Sequence, residues 1–155
     1  MIITKKIIDE FYAEKRIAVI GASRKPMKYG GRLVKDLKSR GYEVIPVNPN
    51  ASEIQGLKCY ARVNEISPAP KAAIVIVPPA GQDAVVADAI SAGVKMLWLH
   101  EHVMKGVSNP GALARAENAG ITVITGFCPF MFMPNTAPLH RIHGAILKLF
   151  KAYPK

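Results

Sequence analysis

The sequence predicts a single α/β domain with a five-stranded parallel sheet and helices on both faces. Five short apolar runs alternate with stretches of helical character, and this alternation is typical of a doubly wound sheet. The runs are almost continuously apolar, as expected of strands that helices cover on both sides. The predicted strands are Ile17–Gly21, Val44–Val47, Ala72–Val77, Met96–Leu99 and Thr122–Ile124.

Capping signals place helices between these runs. An apolar stripe that includes Val86 and Ala89 ends at Gly93, and Asn109-Pro110 opens a helix that Gly120 closes. Residues 1–14 have the pattern of an amphipathic N-terminal helix. Apolar residues at helical spacing predict an amphipathic C-terminal helix over 138–152. The longest irregular connection is expected over 51–70.

Length and composition favour one soluble domain over residues 1–155. Half of the residues are hydrophobic, 21% are charged, and no apolar run approaches the roughly 18 residues of a membrane span. The N-terminus lacks the pattern of a secretory signal. Cys59 and Cys128 do not form a disulfide framework, so a reducing cytoplasm is the expected location.

The net charge of +10 is concentrated near the N-terminus. Residues 1–40 hold eleven Lys or Arg and four Asp or Glu, a net charge of 11 − 4 = +7. Nucleic acid is the rival partner for a basic domain. Because no aromatic RNA-binding motif, zinc-finger spacing or lysine tail accompanies the charge, a nucleic-acid partner is not expected.

The basic residues coincide with a Gly/Ser turn. The segment Gly21–Gly31 joins an apolar strand to a basic helix. Small residues let the backbone approach a diphosphate, and a helix N-terminus offers N–H groups and a favourable dipole. Arg24, Lys25 and Lys28 add full positive charges. The sequence therefore predicts a binding turn for a phosphorylated cofactor.

Two further loops and one side chain are expected at the same edge of the sheet. Asn48-Pro49-Asn50 follows the second strand, Pro78-Pro79-Ala80 follows the third, and His100 follows the fourth. In open α/β sheets, ligands bind at the carboxyl ends of the strands near the point where the strand order reverses. These loops are therefore predicted to share one crevice with the Gly/Ser turn.

The expected cofactor is not a typical dinucleotide. Gly21 is followed by Ala22-Ser23, which does not fit the spacing GxGxxG. The second strand ends Val47-Asn48-Pro49, without the acid that contacts the ribose of NAD. Coenzyme A, with its diphosphate and 3′-phosphate, suits the basic surroundings better. An NAD(P)-binding module remains an alternative.

Three segments, in this order, resemble a known family. They read VIGASRKPMKYGG, GYEVIPVNPNASEIQGLKCYARVNEI and AAIVIVPPAGQDAVVADAISAGVKMLWL, and the likeness covers roughly residues 14–124. The chain resembles the Rossmann-like CoA-binding domain shared by the succinyl-CoA synthetase α subunit and ADP-forming acyl-CoA synthetases. The domain also occurs alone in small bacterial and archaeal proteins. The resemblance implies coenzyme A or an acyl-CoA as the ligand.

The resemblance implies where each part of coenzyme A lies. The turn after the first strand would hold the phosphates, the loop after the second would lie beside the nucleotide, and the loop after the third would form a wall. His100 and Glu101 would lie near the pantetheine. The predicted binding residues are Gly21, Ala22, Ser23, Arg24, Lys25, Lys28, Tyr29, Gly30, Asn48, Pro49, Val77, Pro78, Pro79 and His100. No catalytic or metal-binding residue is predicted.

Two departures from the family pattern shape the functional expectation. The synthetase lysine after the second-strand proline is missing at Asn50-Ala51-Ser52, and Lys25, Lys28 or Arg32 are candidates to replace it. Only about thirty residues follow the last predicted strand, so a phosphohistidine domain is not expected. We therefore expect noncovalent binding without catalysis. A CoA-binding subunit of a split NDP-forming acyl-CoA ligase, with a ligase partner subunit, is the alternative. Assembly into a homo-oligomer is left open in either case.

Several other residues permit more than one interpretation. The Met- and Phe-rich segment 126–138 could cover the pantetheine, form a dimer contact or pack on the sheet. A metal site built from His140 and His143 with Cys128 or His100 is not favoured. A Cys128 nucleophile is unsupported by spacing alone, and Cys59 is expected to be an ordinary loop thiol rather than a partner for a mixed disulfide with coenzyme A.

Overall fold

The computed structural model describes residues 2–100 and 108–133. Within them, the chain forms seven strands and four α-helices. The strands are β1 (Arg16–Ile20), β2 (Glu43–Val47), β3 (Glu53–Ile54), β4 (Leu57–Lys58), β5 (Ala72–Val75), β6 (Met96–Leu99) and β7 (Thr122–Ile124). The helices are α1 (Lys5–Ala13), α2 (Tyr29–Ser39), α3 (Pro79–Ala92) and α4 (Pro110–Asn118), with short 3₁₀ turns at Val63–Glu65 and Pro129–Met131.

The main sheet has the strand order β2-β1-β5-β6-β7. Every neighbouring pair is parallel, so the predicted five-stranded parallel sheet is confirmed. The chain moves from β1 outward to β2 and then returns to place β5 on the other side of β1. The strand order therefore reverses between β1 and β5, and a crevice is expected beyond the carboxyl ends of these two strands.

Helices cover both faces of this sheet. On one face, Phe11 of α1 and Leu33 of α2 pack in the same cluster as Trp98 of β6. On the other face, Val86 of α3 and Ala112 of α4 pack against alternate residues of the strands. Successive side chains of a strand point to opposite faces, so strands buried on both sides must be apolar throughout.

Two strands end earlier in the structure than the sequence predicts. β1 ends at Ile20 because Gly21 has φ of +90°, which turns the chain away from the strand direction. β5 ends at Val75, although the Ile76 N–H still donates to the Ile20 carbonyl at 2.8 Å. The following residues cannot extend the ladder far, because Pro78 and Pro79 have no N–H group to donate.

The connection over 51–70 is more regular than predicted. It contains the antiparallel ribbon β3–β4, whose register pairs Glu53 with Lys58. Gln55 and Gly56 form its two-residue turn, with φ values of +52° and +76°. A type I′ turn needs positive φ at both positions. Because glutamine is an uncommon residue in such a turn, the local pattern did not predict a hairpin here.

The described part of the Met- and Phe-rich segment packs on the core. The Trp98 indole N–H donates to the Phe127 carbonyl at 2.9 Å, and the Tyr12 hydroxyl donates to the Pro129 carbonyl at 2.7 Å. Phe130 and Met133 are buried. Of the three interpretations, ordinary packing therefore describes the segment as far as Met133. The predicted helix over 138–152, with His140 and His143, lies outside the described residues.

No helix within residues 2–100 and 108–133 is both long and apolar enough to cross a membrane.

Candidate functional site

The loop after β1 approaches the loop after β5 at the edge of the sheet where a ligand crevice is expected. A Cβ atom on Gly21 would lie 3.1 Å from both the carbonyl carbon and the carbonyl oxygen of Ile76. This spacing is tighter than most Cβ contacts, and the positive φ of Gly21 adds backbone strain for any other residue, so a side chain is disfavoured at the position. The two loops that the strand reversal brings together are thus in backbone contact.

The turn after β1 folds tightly against the first residues of α2. A Cβ atom on Gly30 would lie 2.5 Å from the Gly21 carbonyl oxygen, and one on Gly31 would be closer still to the Lys25 carbonyl oxygen. Within the turn, the Lys25 N–H donates to the Ser23 hydroxyl oxygen at 3.1 Å. The two glycines are therefore what allows α2 to begin directly behind the turn.

Asn48 shapes this turn from the neighbouring strand. Its side-chain amide donates to the Ala22 carbonyl at 2.8 Å, and its side-chain oxygen accepts from the Asn50 N–H at 2.8 Å. The N–H groups of Gly21 and Ala22 both donate to the Val47 carbonyl, at 3.0 and 3.3 Å. Asn48 is engaged at both ends of its amide, so it holds the turn in shape. Pro49 beside it is exposed.

The positive charges of the turn point to solvent. Arg24, Lys25 and Lys28 are exposed, and none of them forms an ion pair within the described part of the chain. Lys28 is also the N-cap residue of α2 and makes no side-chain capping hydrogen bond. The N-terminal N–H groups of a helix and its dipole attract anions. Three cations that form no ion pair within the described residues therefore lie just before the start of α2.

Tyr29, the first residue of α2, contacts residues that follow β6 and β7. Its ring stacks on His100, with centroids 4.1 Å apart and planes 6° apart. The Tyr29 hydroxyl lies 3.4 Å from His100 Nδ1 and 3.4 Å from Cys128 Sγ. Because the Nδ1 lone pair lies in the imidazole plane, the contact with His100 is a stacking contact, whereas the contact with Cys128 is a hydrogen bond.

The side chains around Tyr29 pack together. Burial, followed by the nearby Cys128, raises the pKa of Tyr29 far above its usual value, so the hydroxyl stays protonated. The edge of the Phe130 ring contacts Tyr29 at 5.2 Å between centroids, and the Arg32 guanidinium lies 5.5 Å above the same phenylalanine. Tyr29 and His100, both predicted as binding residues, are thus in mutual contact.

The other reactive side chains form no site of their own in the described residues. Cys59 is buried, and burial raises the pKa of its thiol. Its Sγ lies 3.7 Å from the Asn48 carbonyl oxygen, consistent with a packed thiol that supports the second loop. No group of three potential metal ligands occurs within residues 2–100 and 108–133. Glu101 lies outside the described residues.

Sequence reasoning missed Gln82, which supports the segment Val77-Pro78-Pro79 that is predicted to form a wall of the site. Gln82 is only 1% exposed. Its amide donates to the Val77 carbonyl at 3.4 Å, and its oxygen accepts from the Asn109 N–H at 2.8 Å. The signal was available, because Gln82 shares a helical face with Val86 and Ala89, and a glutamine among buried residues needs partners.

Gly30→Ala is expected to destabilise the protein by about 2 kcal/mol or more, because the added methyl group would meet backbone atoms that cannot swing away. Chemical denaturation would measure the change. Gly81→Ala is the matched control: it lies in the first turn of α3, and its Cβ would contact only the Val77 side chain at 3.8 Å. The control should be neutral or slightly stabilising. Equal effects of the two substitutions would contradict the tight packing of α2 on the turn.

Two curated relatives are ADP-forming acetate–CoA ligases. Acetate–CoA ligase II of Archaeoglobus fulgidus is 33% identical over 149 residues, which cover 94% of this chain and 22% of the relative. The acetate–CoA ligase II subunit alpha of Pyrococcus furiosus is 44% identical over 73 residues, which cover 46% of this chain and 16% of the subunit. The chain therefore spans less than a quarter of the length of either relative.

Solved structures and a family model agree with this likeness. A hypothetical protein from Pyrococcus horikoshii OT3 is 30% identical, with a TM-score of 0.73 over 81% of this chain and 85% of that chain. The family model described as a CoA binding domain matches residues 15–134. The match includes the turn, the Asn48 loop, the Val77 wall and His100, and it confirms the resemblance found in the sequence. The chain belongs to the CoA-binding domain family.

Proposed function

We propose that this chain binds coenzyme A or an acyl-CoA noncovalently in the crevice between β1 and β5, without catalysis of its own. The observation that carries the proposal is the tight turn of Gly21–Lys25, which packs on Gly30, accepts a hydrogen bond from Asn48 and carries three cations that form no ion pair within the described residues. It lies where the strand order reverses, as ligand sites of open α/β sheets do.

The diphosphate of the ligand would lie against the turn and the start of α2. The close approach of Gly30 to the Gly21 carbonyl sets the helix start directly behind the turn. Backbone N–H groups and the helix dipole would then face the phosphate oxygens. Arg24, Lys25 and Lys28 would neutralise the remaining charge, so that affinity should fall as salt concentration rises.

The 3′-phosphate is the group that would distinguish coenzyme A from NAD. An NAD site uses an acid at the end of the second strand to bind the ribose hydroxyls. Here that place is taken by Asn48, whose amide already binds the Ala22 carbonyl and the Asn50 N–H. The exposed ammonium groups of Lys25 and Lys28 provide positive charge suited to an extra phosphate.

The pantetheine would run along the wall of Val77–Pro79 towards His100. Gln82 fixes this wall through the Val77 carbonyl, and Tyr29 fixes His100 by stacking. The proposed path therefore follows the carboxyl edge of the sheet from the turn after β1 to the end of β6.

A second candidate is a CoA-binding subunit of a larger acyl-CoA ligase. The observation that favours it is the match to the subunit alpha of the Pyrococcus furiosus acetate–CoA ligase. In that case the same crevice would present coenzyme A to chemistry carried out by other domains or subunits. Copurification of this chain with a ligase partner would support this candidate over a binding protein that acts alone.

Calorimetric titration with coenzyme A, dephospho-coenzyme A and NAD, at one salt concentration, tests the proposed function. We expect saturable one-to-one binding of coenzyme A, with weaker binding of the dephospho form because the lysines lose one phosphate partner. Binding should weaken further when the salt concentration is raised. No binding of coenzyme A, or preferential binding of NAD, would contradict the proposal.

Lys25→Ala and Lys28→Ala are expected to weaken binding of coenzyme A about five- to tenfold, because a charge-assisted contact with phosphate would be lost. If either lysine binds the 3′-phosphate, the corresponding loss should be much smaller for dephospho-coenzyme A. Lys35→Ala is the matched control, since Lys35 is an exposed lysine further along α2. A loss as large at Lys35 would indicate a general effect of charge instead of a site.

A further inference from the structure

Met27 is exposed to an unusual degree for a large apolar side chain. It is 87% exposed, and Ile2, at 86%, is the other exposed large hydrophobic residue in the described part of the chain. Ile2 lies near the N-terminus, whereas Met27 lies at the tip of the proposed phosphate turn. Isolated exposed apolar residues are common on protein surfaces. Met27 differs from such residues because it lies in the turn that is proposed to bind phosphate.

The backbone holds Met27 in place. The Lys28 N–H donates to the Lys25 carbonyl at 3.1 Å, which closes a β-turn with Pro26 and Met27 as its central residues. Proline is favoured at the first central position because its φ is already fixed. The helix packs against this turn, since a Cβ atom on Gly31 would lie 3.0 Å from the Pro26 Cα atom. Met27 is therefore held on the surface by a hydrogen-bonded turn that packs against α2.

In the sequence, Met27 also lies between the two lysines proposed to bind phosphate. Lys25 and Lys28 flank the turn and are exposed. In coenzyme A, the 3′-phosphate and the adenine are carried by the same ribose. A ribose whose 3′-phosphate lies between these two ammonium groups would bring its base close to the residue between them. A methionine thioether makes favourable contacts with aromatic rings and adapts to their shape.

We propose that Met27 is a specificity-determining residue that packs against the adenine ring of coenzyme A. This inference rests on the proposed function and adds the position of the base. The bound ligand would cover one side of the Met27 side chain, while Lys25 and Lys28 bind the adjoining phosphate. Free Met27 would then be exposed because its partner is the ligand.

The test compares Met27→Ser with Met27→Leu, and uses Ile2→Ser as the control for removing an exposed apolar side chain. Each variant is titrated with coenzyme A, adenosine 3′,5′-bisphosphate and 4′-phosphopantetheine. Met27→Ser should weaken binding of coenzyme A and of the adenosine bisphosphate about fivefold. It should leave phosphopantetheine binding unchanged. Met27→Leu should stay within about twofold of the natural protein, and Ile2→Ser should change nothing.

The outcomes separate this inference from the proposed function. If the natural protein binds coenzyme A and Met27→Ser binds all three ligands as tightly, the adenine contact is wrong and the proposed function stands. A loss confined to phosphopantetheine would place Met27 beside the other end of the ligand and would also overturn the inference. If the natural protein does not bind coenzyme A at all, both proposals fall. Unfolding of each variant by denaturant should be unchanged, because the side chain is exposed.

Discussion

The close approach of backbone to backbone at the turn after β1 is the constraint on which the site depends. Gly21 touches Ile76 of the neighbouring loop, and Gly30 leaves room for the Gly21 carbonyl. These contacts join three elements, namely the end of β1, the loop after β5 and the start of α2. A side chain at either glycine would press on this backbone and disturb the surface against which a diphosphate is proposed to lie.

Around these backbone contacts, neutral side chains hold the loops in place by hydrogen bonding and stacking, whereas the charged side chains of the turn are exposed to solvent. The side-chain amides of Asn48 and Gln82 donate to backbone carbonyls and accept from backbone N–H groups. Tyr29 is kept neutral by burial, which raises its pKa, and stacks on His100. By contrast, Arg24 and Lys25 are unpaired within the described residues and remain available for anionic ligands.

The sheet could be predicted from the sequence because burial on both faces forces nearly continuous apolar strands. The edge of the sheet at which the site is proposed could be predicted as well, since it is where the apolar runs stop and the loops start. The contact between Tyr29 and His100 could not be predicted, because 71 residues separate them and no local pattern reports a long-range stack. The β3–β4 ribbon was missed because Gln55 adopts a positive φ that favours glycine or asparagine.

The most direct test of the proposed binding site is to map the amide NMR shifts of the protein as coenzyme A is added. The largest shifts should fall within residues 21–31, with further shifts at Asn48 and Val77. These positions are distant in sequence and meet only at the carboxyl ends of β1, β2 and β5. Shifts confined to the outer surface of α1 or the C-terminal end of α4, with residues 21–31 unchanged, would contradict the proposed site.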